Sequence, residues 1–217
     1  FFTMYPFMVF QNQIKLVHPK VFDYTINYYL YDYLKANDDR FSTEFGYRLE
    51  HYVGLGLQEI DVDVKTEKQL KLILKESTNQ VDFWLPDDQI FIEVKATELQ
   101  AYPAVNPKDE LLYNSLKTSI FKAYFKQIVP VSKELNPAGE NWGIIVTYKE
   151  FFWSNLITLA EIGKPYYDED ITYDHIPPSN VFIVDLYTWD LLIRIVKDKK
   201  LTLLEALRLA KSNNSDP

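Results

Sequence analysis

Residues 81–96 read Val81-Asp82-Phe83-Trp84-Leu85-Pro86-Asp87-Asp88-Gln89-Ile90-Phe91-Ile92-Glu93-Val94-Lys95-Ala96. Two apolar runs flank a short polar segment, and a proline followed by two aspartates is typical of a tight turn. The stretch therefore predicts a β-hairpin with Asp87-Asp88 at its tip. In that hairpin the numbers of two facing residues sum to 175, so Asp82 is expected to face Glu93.

The polar residues of this hairpin predict a chemical site. Two carboxylates directly opposite each other destabilise an antiparallel pair unless a cation lies between them. Strand alternation places Glu93 and Lys95 on one face. Carboxylate oxygens bind Mg²⁺, and a lysine can stabilise charge on a phosphate, so the set suits metal-assisted hydrolysis of a phosphodiester. The alternative is an ordinary half-exposed strand, in which charged and apolar residues also alternate.

A predicted helix lies upstream of the hairpin. Apolar residues recur at helical spacing from residue 45 to residue 57, with Ser42 or Thr43 as the expected N-cap. Glu50 lies beside this apolar stripe, near the boundary of the core. The order along the chain is therefore a helix with Glu50, strands, the Asp82–Lys95 hairpin and a long helix.

In this order of elements the chain resembles the PD-(D/E)XK nuclease superfamily, which has the restriction-endonuclease-like fold. The phrase Gly46-Tyr47-Arg48-Leu49-Glu50-His51-Tyr52-Val53 is similar to the G-x-x-[FL]-E-x-x-V helix of Mrr-type and related defence nucleases. The phrase Ile92-Glu93-Val94-Lys95-Ala96 is similar to their [IV]-E-[VC]-K-A strand. The resemblance covers roughly residues 42–150, and Val81 stands where the motif name has proline.

The resemblance implies a role for each motif residue. Asp82 and Glu93 would ligate Mg²⁺ or Mn²⁺ together with the carbonyl of Val94. Lys95 would orient the attacking water or stabilise charge. Glu50 would ligate a second metal ion or hold a water on it.

Three residues on the helix after the motif are weaker candidates. Related nucleases often carry a Gln or Lys that supports the site at the position of Gln127. Lys117 and Lys122 lie on the helix expected to follow the active-site strand, and they are candidates for contacts with nucleic acid. For all three side chains the alternative is a solvated surface position.

Composition excludes several other classes of site. The chain has 217 residues, of which 47% are hydrophobic, and a formal charge of −8. It lacks cysteine and has three histidines, so a disulfide framework and a Cys-based zinc site are excluded and a His-rich metal site is disfavoured. A protein that coats DNA is usually basic. An acidic nuclease would therefore rely on local basic groups, a partner or a further domain.

The remaining pattern predicts an α/β fold with a mixed central β-sheet flanked by helices. We expect three regions: an N-terminal segment with an entry helix (1–41), the nuclease-like core (42–211) and a polar tail (212–217). Within them we predict helices over 20–36, 108–129, 187–197 and 202–211, strands within 60–75 and over 143–148 and 180–186, and a loop over 101–107. Pro130 is expected to limit the long helix.

The chain ends and the partners give further expectations. The N-terminus, Phe1-Phe2-Thr3-Met4-Tyr5, lacks both an initiator Met and a basic n-region, so we expect a fragment of a longer protein rather than a signal peptide. Its apolar side chains are expected to pack on the core or on a missing domain. No membrane span is expected. The expected location is the cytoplasm, and the expected partners are further copies of the chain or another protein.

The leading hypothesis from the sequence is a metal-dependent endonuclease, with DNA as the preferred substrate and a restriction or antiviral defence setting. Three alternatives stay open at this point. The same site would also suit cleavage of RNA. A catalytically silent fold would bind nucleic acid or protein, and a globular interaction domain would carry the motif by chance.

Overall fold

The computed structural model describes residues 6–74, 80–98, 108–151, 156–167 and 173–213. By its internal contacts the chain divides into two compact units, residues 1–45 and 46–217. The predicted loop at 101–107 and the polar tail from residue 214 onward lie outside the described residues.

The first unit contains a β-hairpin and a helix. Strands β1 (Phe7–Phe10) and β2 (Gln13–Leu16) pair antiparallel. Side chains along both strands are exposed, and packing of the apolar N-terminal residues on the core or on a missing domain stays a prediction. Helix α1 (Pro19–Asn37) confirms the predicted entry helix, with Pro19 in its first turn and the His18 side chain as its N-terminal cap.

Helix α2 (Phe41–Gln58) corresponds to the helix predicted around Glu50. It begins at Phe41, so Ser42 and Thr43 lie inside it and the prediction that one of them caps it is wrong. Leu49, Val53 and Leu57 are buried, as expected from their spacing.

The second unit is built on a five-stranded mixed sheet. The strands lie side by side in chain order: β3 (Lys65–Thr66), β4 (Phe83–Leu85), β5 (Ile90–Lys95), β6 (Trp142–Thr147) and β7 (Val181–Asp185). The first three pair antiparallel, whereas β5, β6 and β7 pair parallel. The predicted mixed sheet is confirmed, as are the buried strands predicted near 143–148 and 180–186.

The hairpin of β4 and β5 has the predicted register. Phe83 pairs with Ile92 and Leu85 pairs with Ile90, so each pair sums to 175. Pro86 to Gln89 form the turn, and Gln89 takes a left-handed conformation with φ 53°. Alternation and turn chemistry were sufficient to set this pairing, because a slip by one residue would turn every side chain to the other face.

Helices cover both faces of the sheet. On one face Phe91 joins a buried cluster that includes Phe121, Tyr124 and Ile145. Phe83 belongs to the other face, where α2 approaches so closely that a Cβ on Gly54 would lie 3.1 Å from its ring. Strand β5 is therefore buried on both sides over most of its length, which is typical of strands in parallel sheets.

The segment from residue 60 to residue 74 supplies the first strand of the sheet, as predicted, but the predicted alternation of Leu70, Leu72 and Leu74 along a strand is wrong. Only Lys65–Thr66 form a strand, and α3 (Glu67–Ile73) follows at once. Thr66 and Gln69 form a capping box, which starts a helix. Leu70 and Leu74 then fall four residues apart on the buried side, while Leu72 is 77% exposed.

The long helix predicted over 108–129 is interrupted, and Pro130 does not end it. Helix α4 (Asp109–Leu116) is followed by a turn. A π-helix (Lys122–Ile128) then continues without a break into α5 (Val129–Leu135), with Pro130 inside the first turn of α5.

The described fold also contains three α-helices, α6 (Ile157–Gly163), α7 (Leu186–Lys197) and α8 (Leu203–Asn213), and two short 3₁₀-helices, Lys164–Tyr166 and Pro178–Asn180. Of the α-helices, the last two confirm the predicted terminal helices, and the predicted Thr202 cap is present: its Oγ1 accepts from Glu205 N–H at 3.1 Å. In the described part of the chain, no helix is long and apolar enough to cross a membrane.

We expect Gly163→Ala to destabilise the fold. A Cβ at this position would lie 2.6 Å from Phe125 and 2.9 Å from Phe121, both buried on the π-helix side of the core. Overpacking of this kind costs about 1–3 kcal/mol. Chemical denaturation would measure the loss. Gly46→Ala is the matched control, because within the described residues no atom beyond its own helix backbone and chain neighbours lies within 4 Å of the added Cβ, and alanine in a helix interior gains up to ~1 kcal/mol over glycine. Equal effects of the two changes would contradict the packing.

Candidate active site

Asp82 lies one residue before β4 and continues its pairing with β5 through a side chain. The Val94 N–H donates to Asp82 Oδ2 at 2.7 Å. On its other side, the Asp82 carbonyl accepts from Glu67 N–H at 2.9 Å. Both the side chain and the backbone of Asp82 are therefore held in place by neighbouring elements.

Glu93 is the least exposed acid of the site, with 1% of its surface accessible. Its Oε1 atom accepts hydrogen bonds from the Lys95 ammonium and from Gln127 Nε2, the latter at 2.6 Å. Its Oε2 atom is buried and has no hydrogen-bond partner within the described residues. A buried charged acceptor without a partner is costly, so ionised Glu93 would be stabilised by a ligand on this oxygen.

Burial raises the cost of ionising both facing carboxylates, and the Asp82 backbone N–H lowers that cost for Glu93. Burial, followed by the charge of Glu93, raises the pKa of Asp82 to about 8. Burial also raises the pKa of Glu93, and the adjacent Lys95 ammonium partly offsets this effect. A bound cation would reverse both shifts, because an opposite charge favours the ionised carboxylate.

Glu50 contributes charge from α2. Burial and the nearby Glu67 raise its pKa, whereas the Lys95 ammonium lowers it. Its charge also raises the pKa of Asp82. Lys95 therefore lies within electrostatic reach of all three predicted acids: Glu50, Asp82 and Glu93.

The carboxylates form a pair with an acidic neighbour rather than a compact cluster of ligands. Among the residues that the structure describes, no group of three or more His, Cys, Asp or Glu side chains is arranged to hold a metal ion. The role of Glu50 as a ligand and that of the Val94 carbonyl stay predictions. The Asp82–Glu93 pair nevertheless fits a divalent cation, because it combines hard oxygen donors with the unpartnered Glu93 Oε2.

Gln127 reaches the site from the π-helix. Its Nε2 atom donates to Glu93 Oε1 at 2.6 Å and to the Gln80 carbonyl at 3.0 Å. Its Oε1 atom is buried and has no hydrogen-bond partner in the described part of the chain. The half-buried side chain thus contacts Glu93, and its role in supporting the site stays a prediction.

The two candidate lysines lie elsewhere on this segment. Lys117 and Lys122 are exposed, and Lys117 Nζ donates to Asn114 Oδ1 on its own helix at 3.3 Å. Their assignment to nucleic-acid binding stays a prediction.

Sequence reasoning missed two participants. Glu67 lies beside Asp82 and Glu50. Because the segment of α3 was predicted as a strand, the Glu67 carboxylate was not expected near the site. The Gln80 carbonyl holds Gln127, and no sequence pattern identifies a backbone acceptor of this kind.

Comparison of the chain with protein-family models, curated proteins and solved structures found no match. The function is therefore inferred from the site.

Proposed function

We propose that this protein is a metal-dependent nuclease of the PD-(D/E)XK type. The observation that carries the proposal is the buried Glu93 Oε2, which has no hydrogen-bond partner among the described residues and adjoins a second carboxylate, Asp82. Lys95 and Gln127 both donate to Glu93 Oε1, so within the described residues they leave the second oxygen without a side-chain donor. A divalent cation would satisfy both Glu93 Oε2 and Asp82.

Each residue of the site has a proposed task. Asp82 and Glu93 would hold Mg²⁺ or Mn²⁺, with the Val94 carbonyl as a further ligand and Glu50 nearby. When bound, the cation would neutralise charge on the phosphate and favour loss of a proton from water. Lys95 would orient the attacking water and stabilise the developing negative charge. Gln127 would fix the orientation of the Glu93 carboxylate.

DNA is the proposed substrate and defence against foreign DNA the proposed setting, because the helix phrase around Glu50 and the strand phrase around Glu93 are similar to those of Mrr-type nucleases. Because its net charge is −8, the protein would bind nucleic acid through local basic groups or through a partner.

The test is a cleavage assay on plasmid DNA, single-stranded DNA and RNA, each with Mg²⁺, Mn²⁺ or EDTA. We expect cutting of DNA with either metal and none with EDTA. Cutting of RNA alone would overturn the proposed substrate. If no substrate is cut, calorimetric titration with Mn²⁺ decides whether the site binds metal, and absence of binding would overturn the proposal.

Lys95→Ala is expected to separate binding from catalysis. Removal of its ammonium takes away charge stabilisation and should lower turnover about 100-fold. Metal affinity should change far less, since Lys95 is not a ligand. Single-turnover cleavage and Mn²⁺ titration would measure the two quantities. Lys65→Ala, which removes a lysine paired with Asp63, is the control. Full activity of the Lys95 variant would exclude its proposed role.

A further inference from the structure

The helix that carries Gln127 is abnormal at the point where it meets the site. Seven residues, Lys122–Ile128, form a π-helix, and Val129 N–H donates to the carbonyl of Tyr124, five residues back. Most π segments are single-turn bulges in α-helices, frequently at functional sites. Here the segment brings Gln127 onto Glu93 and the Gln80 carbonyl.

Pro130 gives a physical reason for this distortion. The backbone is helical on both sides of it, with φ −61° at Ile128 and φ −60° at Val129, and α5 continues to Leu135. In a regular α-helix, proline has no N–H for the carbonyl four residues back, and its ring clashes with that carbonyl. For Pro130 this is the carbonyl of Lys126, the neighbour of Gln127. A wider π turn moves this carbonyl away from the ring.

The register of the helix determines where Gln127 points. A π turn holds about one residue more than an α turn, so side chains around it take different directions from those in a continuous α-helix. The contact of Gln127 with Glu93 therefore depends on the π register.

We propose that Pro130 is a positioning residue, which holds the π register and thereby aims the Gln127 amide at Glu93. The catalytic consequence rests on the proposed function, whereas the structural coupling between Pro130 and Gln127 does not. Pro130→Ala should let the segment relax toward an α-helix, because alanine restores the missing N–H and removes the ring. Gln127 would then leave Glu93.

The decisive experiment is a double-mutant cycle on the unfolding of the metal-free protein. Wild type, Gln127→Ala, Pro130→Ala and the double variant would be unfolded in urea. We expect Gln127→Ala to lower the midpoint in the wild-type background and to change it by less than half as much in the Pro130→Ala background. An equal change in both backgrounds would overturn the proposal. The control cycle pairs Pro130→Ala with Lys122→Ala, an exposed residue of the same π-helix, and should be additive.

A second measurement covers the case in which Pro130→Ala unfolds. The ¹H–¹⁵N side-chain amide signals of Gln127, assigned by their loss in Gln127→Ala, would be followed in Pro130→Ala and in Pro130→Ser. In wild type they should be shifted and protected by Glu93, and in a folded variant they should move to the positions of a solvated amide. Signals that stay in place would overturn the proposal.

Measurement of Mn²⁺ affinity tests whether the coupling between Pro130 and Gln127 affects the proposed metal site. Gln127→Ala and Pro130→Ala should each weaken Mn²⁺ binding about 10-fold, as expected for residues that orient a ligand, and the double variant should be no weaker. If wild type binds no metal, the proposed function fails while the unfolding cycle still decides the role of Pro130. A full additive loss in the double variant would show that Pro130 acts independently of Gln127.

Discussion

Glu93→Gln is expected to abolish metal-dependent cleavage, with a loss of at least about 1,000-fold. The change is isosteric, and the new carbonyl oxygen can still accept from Lys95 and Gln127, so the fold should persist. It removes the anionic charge and replaces the unpartnered Glu93 Oε2 by an NH₂ group, which cannot ligate a cation. Each ~1.4 kcal/mol of lost transition-state stabilisation lowers the rate tenfold. A loss of about 1,000-fold therefore corresponds to several kcal/mol of stabilisation by the metal.

Single-turnover cleavage of plasmid DNA in Mg²⁺ would measure this loss, with Mn²⁺ titration beside it. The control is Glu134→Gln, which makes the same chemical change at an exposed position of α5. Circular dichroism would establish that both variants are folded. A Glu93→Gln variant that cuts and binds metal like wild type would exclude Glu93 as a ligand.

Asp82→Asn is expected to stabilise the metal-free protein in a pH-dependent manner. The pKa of Asp82 is about 8 in the folded protein, mainly because of burial, against an ordinary value of 3.8. Between these values the folded state binds the proton more tightly than the unfolded state, so the free energy of unfolding falls as pH rises from about 4 to about 8. The asparagine oxygen can still accept from Val94 N–H, while the cost of ionisation is removed.

The gain should be close to zero near pH 4 and should reach up to ~5 kcal/mol at pH 8, since each pKa unit corresponds to about 1.4 kcal/mol. Urea unfolding in EDTA at several pH values would measure it. Asp174→Asn, at an exposed position, is the control and should show no such trend. Added Mg²⁺ should reverse the order and favour wild type, because the cation binds the ionised carboxylate of the folded state. A gain that does not depend on pH would contradict the buried pair.

The predictions about the sheet followed from local signals. Alternation on both sides of Pro86-Asp87-Asp88 determined the pairing of Phe83 with Ile92, and apolar runs located β6 and β7. The segment of α3 was misjudged although a local signal decides it. The apolar residues of α3 allowed both a strand and a helix, and the capping box of Thr66 and Gln69 favoured the helix.

The hairpin, its register and therefore the approach of Asp82 to Glu93 could be predicted from residues close together in the chain, because strand period and turn residues act over a few positions. The burial of Glu93, with one oxygen that has no hydrogen-bond partner among the described residues, depends instead on helices packed from distant parts of the chain, which no local pattern predicts. Pro130 is a second example of this difference between local signals and tertiary structure. Its ring predicts a disturbance of the helix, but the backbone stays helical through Pro130, and the π turn before it carries Gln127 to Glu93.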